Sequence, residues 1–332
     1  MQLPVQDVEL LIQWDLSKGG NMLEKQILEN LIKKECKKHK GKVCALSGGV
    51  DSSLLCALIK PEFVISVKLP LGKPYDESKY SKDMARHLKL KRVVVKPDFK
   101  NFDAYMRKAV KAIGRPIPHF NIFPLYCMYK ELARLGVKEV VLGDGPDESM
   151  CGYARNLMMK YLYIDLFEVP AFEGYGPMLG RVLKPFEIAY AEAIDKDKTY
   201  VTRLFNRAAR KKKNAIDCMC YIDMQICRKD MDDMSNGIAR HFGIKNIRPY
   251  QDNPKIDNFM FNLPTKDKIR GSYGKFLLRK IAAKYIPKKY AWRLRKVGGP
   301  VYPVNRLKNW MDLGEFDKQF YLEYQQKILD SC

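Results

Sequence analysis

No stretch of about eighteen consecutive apolar residues occurs in this chain, so no transmembrane helix is expected. The first residues, Met1-Gln2-Leu3-Pro4-Val5-Gln6-Asp7, lack the basic-then-apolar pattern of a secretory signal. A cytoplasmic protein is the expectation that follows, with no membrane partner. No internal repeat or low-complexity stretch is visible, which excludes a repeat array. Acidic residues are few beside basic ones, 38 against 60, and the net charge is +22. RNA, a polyanionic substrate or a lysine-rich proteome would each account for that charge. Basic residues are spread along the chain, and the one dense run, Arg210-Lys211-Lys212-Lys213, reads as a solvated helix face. No RNA-binding motif with interleaved aromatics accompanies it, so an RNA partner rests on charge alone. The nine cysteines are odd in number and scattered, which excludes a disulfide framework. Cys44 and Cys56 sit in apolar runs and read as small buried hydrophobes. Cys218-Met-Cys220 with Cys227 offers thiolates to a metal or iron–sulfur cluster, but the spacing matches no standard zinc pattern.

What is present is a chain of 332 residues, 46% hydrophobic and 30% charged, enough for one large or two medium globular domains. The pattern predicts a short strand over 8–14 and a basic amphipathic helix over 22–38, with Leu23, Ile27, Leu28, Leu31 and Ile32 on one face. A βα rhythm follows. Strands are expected at 42–46, 63–68, 91–95 and 139–142, and helices at 77–88, 102–113 and 124–135. The nearly continuous run Phe-Val-Ile-Ser-Val-Lys at 63–68 has the composition of a buried parallel strand. This alternation argues for an α/β fold with a doubly wound parallel sheet, whose ligands bind beyond the strand C-termini. From about 154 the rhythm stops, and the rest reads mostly helical. The expected division is an N-terminal extension over 1–40, an α/β core over 41–153 and a mostly helical substrate region over 154–332.

The stretch Cys44-Ala45-Leu46-Ser47-Gly48-Gly49-Val50-Asp51-Ser52-Ser53 organises the first half. Small apolar residues lead into a glycine turn, and Leu54, Leu55 and Leu58 follow at helical spacing. Glycines let backbone approach an anion closely, and a helix N-terminus attracts it. Ser47, Ser52 and Ser53 add hydroxyls. Asp51 beside a phosphate would repel it unless a cation intervenes, which suggests Mg²⁺. No Gly-Lys-Ser/Thr follows the glycines, so this is not a Walker-type loop. A second turn, Val141-Leu142-Gly143-Asp144-Gly145-Pro146-Asp147-Glu148, ends another strand and crowds three carboxylates into five residues, where a cation is again expected. Two such turns at adjacent strand ends can bracket Mg²⁺ and the β,γ-phosphates.

The first loop resembles the pyrophosphate loop of the ATP pyrophosphatase superfamily. Ser-Gly-Gly-x-Asp-Ser followed by Gly-Glu/Asp-Gly-x-Asp-Glu-x-x-x-Gly-Tyr, here completed by Gly152 and Tyr153, resembles the synthetase domain of asparagine synthetases. Asp76-Glu77, Pro116 with Ile122 and Pro124, Asp232-Asp233-Met234-Ser235, Pro249-Tyr250-Gln251-Asp252, Leu263-Pro264, Lys275-Phe-Leu-Leu-Arg279, Ile286-Pro287 and the stretch from Arg293 to Gly298 resemble later landmarks of that family, in order. The resemblance spans roughly 40–312. Position 2 is Gln and only about forty residues precede the loop, so the glutaminase domain of the family's amidotransferases is not expected. Ammonia would be free, delivered by a separate glutaminase partner, or replaced by another amine. Arg248 abuts Pro249, displaced from the family's arginine, and Arg295 competes with Lys296 for the family's lysine. These departures bear on the acceptor acid more than on ATP.

The resemblance implies an adenine nucleotide alpha hydrolase-like fold and ATP and Mg²⁺ as cofactors. The activity implied is AMP-forming amide synthesis, joining a small carboxylic acid, aspartate or a related one, to ammonia or an amine. An alternative within the superfamily is adenylation of RNA or a nucleobase. The resemblance assigns Ser47, Gly48, Gly49, Asp51, Ser52, Ser53 and Gly143 to ATP and pyrophosphate, and Asp51 and Asp147 to Mg²⁺. Leu46 and Val67 would contact adenine, largely through backbone. Asp144 takes the place of an acidic residue linked to amine deprotonation, and Lys296 would neutralise the α-phosphate.

Overall fold

A computed structural model describes residues 21–69, 77–117, 119, 121–153, 156, 203–204, 207–208, 210, 215–294 and 318–331. The strand expected at 8–14, the lysines at 211–213, Asp76 and Lys296 lie outside the described residues.

Helix α1 (Asn21–Lys37) leads to β1 (Cys44–Ala45), α2 (Val50–Ile59), β2 (Phe63–Val67), α3 (Ser78–His87) and β3 (Lys91–Val95). Then come α4 (Phe102–Ile113), α5 (Ile122–Arg134), β4 (Glu139–Val141) and the single turn α6 (Pro146–Ser149). The strands expected at 42–46, 63–68, 91–95 and 139–142 form within a residue or two of those bounds. Side chains alternate across a strand, and both faces of this sheet are covered. Val43, Ile65, Val140 and Leu142 enter one core with Met106 of α4, Phe123 and Tyr129 of α5. Cys44, Leu46, Val64 and Val141 enter the other with Leu28 and Ile32 of α1 and Leu54 and Leu55 of α2. Two apolar faces require strands that are apolar at every position, which is why the runs read as continuous.

The described chain resumes with α7 (Ala215–Gln225), α8 (Cys227–His241) and β5 (Lys245–Ile247). This last strand lies in the stretch read as mostly helical and extends the sheet beyond β4. It pairs parallel to β4, Glu139 opposite Lys245 and Val141 opposite Ile247. The sheet order is β3-β2-β1-β4-β5, and the pairings are parallel throughout. The chain leaves β1 first toward β2 and later toward β4. The crevice between β1 and β4 is therefore the switch point of a doubly wound sheet, where ligands bind. Helix α9 (Pro254–Asn262), the turn α10 (Thr265–Lys268) and the hairpin β6 (Ile269–Arg270) and β7 (Tyr273–Gly274) follow. Then come α11 (Phe276–Ala282), α12 (Lys288–Ala291) and α13 (Lys318–Asp330). Leu277, Leu278 and Ile281 of α11 join the core that holds α1 and α2. Glu29 of α1, nearly buried, accepts hydrogen bonds from Lys284 and Tyr285 just beyond α11. No described helix is long and apolar enough to cross a membrane.

Candidate active site

Both turns singled out in the sequence stand at the switch point. Gly48 has φ +81, and a Cβ there would lie 2.6 Å from the backbone nitrogen of Ser81 in α3. Only glycine makes that turn without displacing α3. Gly143 approaches the first turn of α2 so closely that a Cβ would meet Ser52 N at 2.9 Å. The two turns thus touch through backbone. Within the first, the Ser47 and Ser52 hydroxyls lie 3.0 Å apart, and the Gly49 N–H donates to Ser47 Oγ at 3.2 Å. Ser53 is buried, and its Oγ has no hydrogen-bond partner among the described residues. Gly49 caps α2, so the positive end of a ten-residue helix opens on the crevice.

Asp51 and Asp147 are brought together, and a lysine lies between them. Lys275 Nζ is 2.5 Å from Asp51 Oδ2 and 2.6 Å from Asp147 Oδ1. Lys275 is 2% exposed and stands at φ +54, immediately before α11. A long side chain in the left-handed region is held there by its surroundings. Its N–H donates to Met150 O at 2.8 Å, which fixes it to the second turn. Asp51 Oδ1 is buried and has no hydrogen-bond partner among the described residues. Asp147, Lys275, Arg279 and Arg293 line one cleft with Gly49 and Val50, enclosing about 630 Å³ that includes open solvent. Arg279 donates to Gly274 O at 2.8 Å and Ala291 O at 2.7 Å. Arg293 pairs with Glu77 at 2.7 Å and lies 3.7 Å from the centroid of the Tyr80 ring. A helix N-terminus, a lysine and two arginines make this end of the crevice attractive to a polyphosphate.

Asp144 occupies the other end. Its Oδ2 lies 3.3 Å from Arg248 Nε, whose guanidinium also reaches Asp232 at 3.4 Å, Ser235 Oγ at 2.6 Å and Asn236 Oδ1 at 2.9 Å. The Arg248 N–H donates to Asp252 Oδ2 at 2.7 Å. Arg248 is 4% exposed, so its hydrogen-bonding capacity is committed within the protein. The Asp144 side chain is partly buried, at 36% exposure. Burial raises its pKa, Arg248 opposes that rise, and Asp232 and Asp147 add to it. The adjoining Glu148 is pushed up to about 8 by burial and then by Asp147, while the Tyr153 hydroxyl donates to it.

Leu46 is buried, and its N–H is spent on Ile65 O at 2.8 Å. Val67 stands at the C-terminal end of β2, half-buried. No local pattern in the sequence assigned Lys275 or Arg248 a role in the chemistry. Lys275 was visible only as a landmark, and Arg248 as a displaced arginine. Cys218 and Cys220 are buried on α7, and the Cys220 sulfur lies 3.5 Å from that of Cys151. Among the described residues no group of three or more His, Cys, Asp or Glu is placed to hold a metal.

A family model described as asparagine synthase matches residues 25–321. No curated protein matches the chain. Among solved structures, NMN synthetase from Francisella tularensis is similar at 16% identity and a TM-score of 0.27, over 42% of this chain and 60% of that one.

Proposed function

This chain belongs to the asparagine synthase family, and on that premise we propose that it is an ATP-dependent, AMP-forming amide synthetase acting on aspartate or a related carboxylic acid. The observation that carries the reading is the meeting of the two acidic turns at the switch point, with Lys275 between Asp51 and Asp147. A carboxylate is a poor acyl donor because hydroxide leaves badly. The substrate carboxylate attacks the α-phosphorus of ATP, pyrophosphate departs, and the amine then attacks the acyl carbon and expels AMP.

The protein's part is positioning and charge stabilisation. Ser47 to Ser53 cradle the departing pyrophosphate at the start of α2, and Lys275, Arg279 and Arg293 receive its charge. Mg²⁺ takes one or two carboxylates together with phosphate oxygens. Asp51, whose buried Oδ1 has no hydrogen-bond partner among the described residues, and Asp147 fit that demand and would hold the ion. An ion held there by Asp51 and Asp147 would neutralise charge on the leaving pyrophosphate. Asp144 takes a proton from the attacking amine, and Arg248 keeps its carboxylate aimed into the crevice. The Gly143 and Leu46 backbone and the end of β2 at Val67 border the nucleotide, and Lys296 acts on the α-phosphate.

The test is a pyrophosphate-release screen over amino acids with ammonium as amine, with Asp51→Ala as control. Release that needs both ATP and an acid acceptor, with AMP as coproduct, is the expected result. ADP as the product would overturn it.

A further inference from the structure

One pair of nucleophiles has no part in that chemistry. Cys151 ends the second acidic turn at φ +59, and Cys220 lies on α7. Their sulfurs are 3.5 Å apart and almost wholly buried, at 1% and 0% exposure. Lys268, also fully buried, binds Asp217 at 2.5 Å, one helical turn before Cys220. Either sulfur can donate across this contact; with Cys151 as the donor, that bond and the Lys268 charge hold Cys220 below the ordinary thiol range despite burial. The other buried neighbours, Cys44 and Cys56, differ. The bond from Cys44 to Cys56, and then burial, push Cys44 well above its usual value, and among the described residues no cation offsets them.

We propose that Cys151 and Cys220 are a peroxide-sensitive dithiol whose closure to a disulfide weakens nucleotide binding. The Cys220 thiolate attacks one peroxide oxygen, the O–O bond breaks, and the departing hydroxide takes a proton to become water. Cys220 is then a sulfenic acid. The Cys151 sulfur attacks the Cys220 sulfur, the S–O bond breaks, and the hydroxyl leaves with the Cys151 proton as a second water. Two thiols are oxidised and one peroxide is reduced to two waters. Burial of both sulfurs selects a small oxidant over a bulky disulfide such as oxidised glutathione.

Closure moves the backbone that supports the ion pair. A disulfide of about 2.05 Å requires sulfurs now 3.5 Å apart to approach by about 1.5 Å. Cys151 is flanked by Met150, whose carbonyl accepts from Lys275 N at 2.8 Å, and by Gly152, whose N–H donates to Asp147 O at 2.8 Å. Its own carbonyl sits so tightly on Gly274 that a Cβ there would lie at 1.8 Å. Any shift of Cys151 therefore reaches both Asp147 and Lys275. That coupling rests on the functional reading given above.

The experiment treats the full chain with equimolar hydrogen peroxide and follows mass, peptide linkage and Mg²⁺–ATP binding by calorimetry. The expected result is a loss of two mass units, a peptide joining residues 151 and 220, and several-fold weaker ATP binding that a thiol reductant restores. Oxidised glutathione should react far more slowly. In Cys220→Ala, which removes the attacking thiolate, peroxide should leave ATP binding unchanged. A linkage between other cysteines, overoxidation of Cys220 without a linkage, or full ATP affinity in the linked protein would overturn the proposal. The wild-type mass and peptide readouts decide the disulfide even if the alanine variant fails to fold. Should the reduced chain not bind ATP, the functional reading falls, and the linkage still decides the thiol pair.

Discussion

Lys275 replaces, with a side chain, part of the charge that the acidic turns demand. Two carboxylates in a crevice repel one another, and an ammonium between them removes that cost. Breaking a buried ion pair from one side strands the remaining charges and typically costs about 3–5 kcal/mol. Lys275→Met is therefore expected to lower the free energy of unfolding by about that amount, measured in urea. A loss below about 1 kcal/mol would mean that water already screens the pair. Asp144 sits apart from this cation, against Arg248. If it serves only the amine step, Asp144→Asn will slow amide formation by roughly 10²–10⁴-fold, the usual contribution of a general base. Acid-dependent pyrophosphate release should survive in a single turnover. Equal loss of both steps would place Asp144 in adenylation instead. The acidic and glycine residues of both turns were legible because their chemistry is packed into eight or ten neighbouring positions. Lys275 was not, because its contact with Asp51 spans 224 residues and depends on a left-handed backbone that no local pattern marks.

The elements of the first half were legible because two buried faces impose continuous apolar strands and because amphipathic helices separate them. Strand β5 escaped notice. Lys245-Asn246-Ile247 has one strongly apolar residue and no alternation, and it becomes a strand only because β4 presents an edge. The way α1 is secured was equally hidden. Glu29 meets Lys284 and Tyr285 from a segment more than 250 residues away. Burial raises the Glu29 pKa, but the hydrogen bonds from Lys284 and Tyr285 outweigh it and hold the group below its usual 4.5. Its stabilising contribution is thus complete above about pH 4.5 and is lost as pH falls through the lowered folded value. Glu29→Gln should be less stable than wild type at pH 7, and the difference should shrink in denaturant titrations carried down to pH 3. A difference that stays constant with pH would show that packing rather than charge holds α1.

A net charge of +22 sets the behaviour of the whole molecule. Like charges over one surface repel, and folding concentrates them. Raising ionic strength from about 0.01 M to about 0.15 M shortens the screening length from about 30 Å to about 8 Å. The melting temperature should therefore rise over that interval, most steeply at the low end. A fall would show that local pairs such as Arg228 with Asp257, at 2.7 Å, outweigh the global repulsion.

The order in which the sheet is completed has a consequence for synthesis. Strand β4 ends at Val141 and its partner β5 begins at Lys245, about a hundred residues later. At roughly 5–20 residues per second, β4 stays an open edge on the ribosome for roughly 5–20 s. Throughout that time its backbone donors and acceptors are available to another strand. Asp144 waits as long for Arg248, and Asp51 and Asp147 wait longer still for Lys275. A nascent chain stalled between these points holds both acidic turns without their counter-ions. Co-translational chaperones would meet it there, as an unfinished sheet with an adhesive margin.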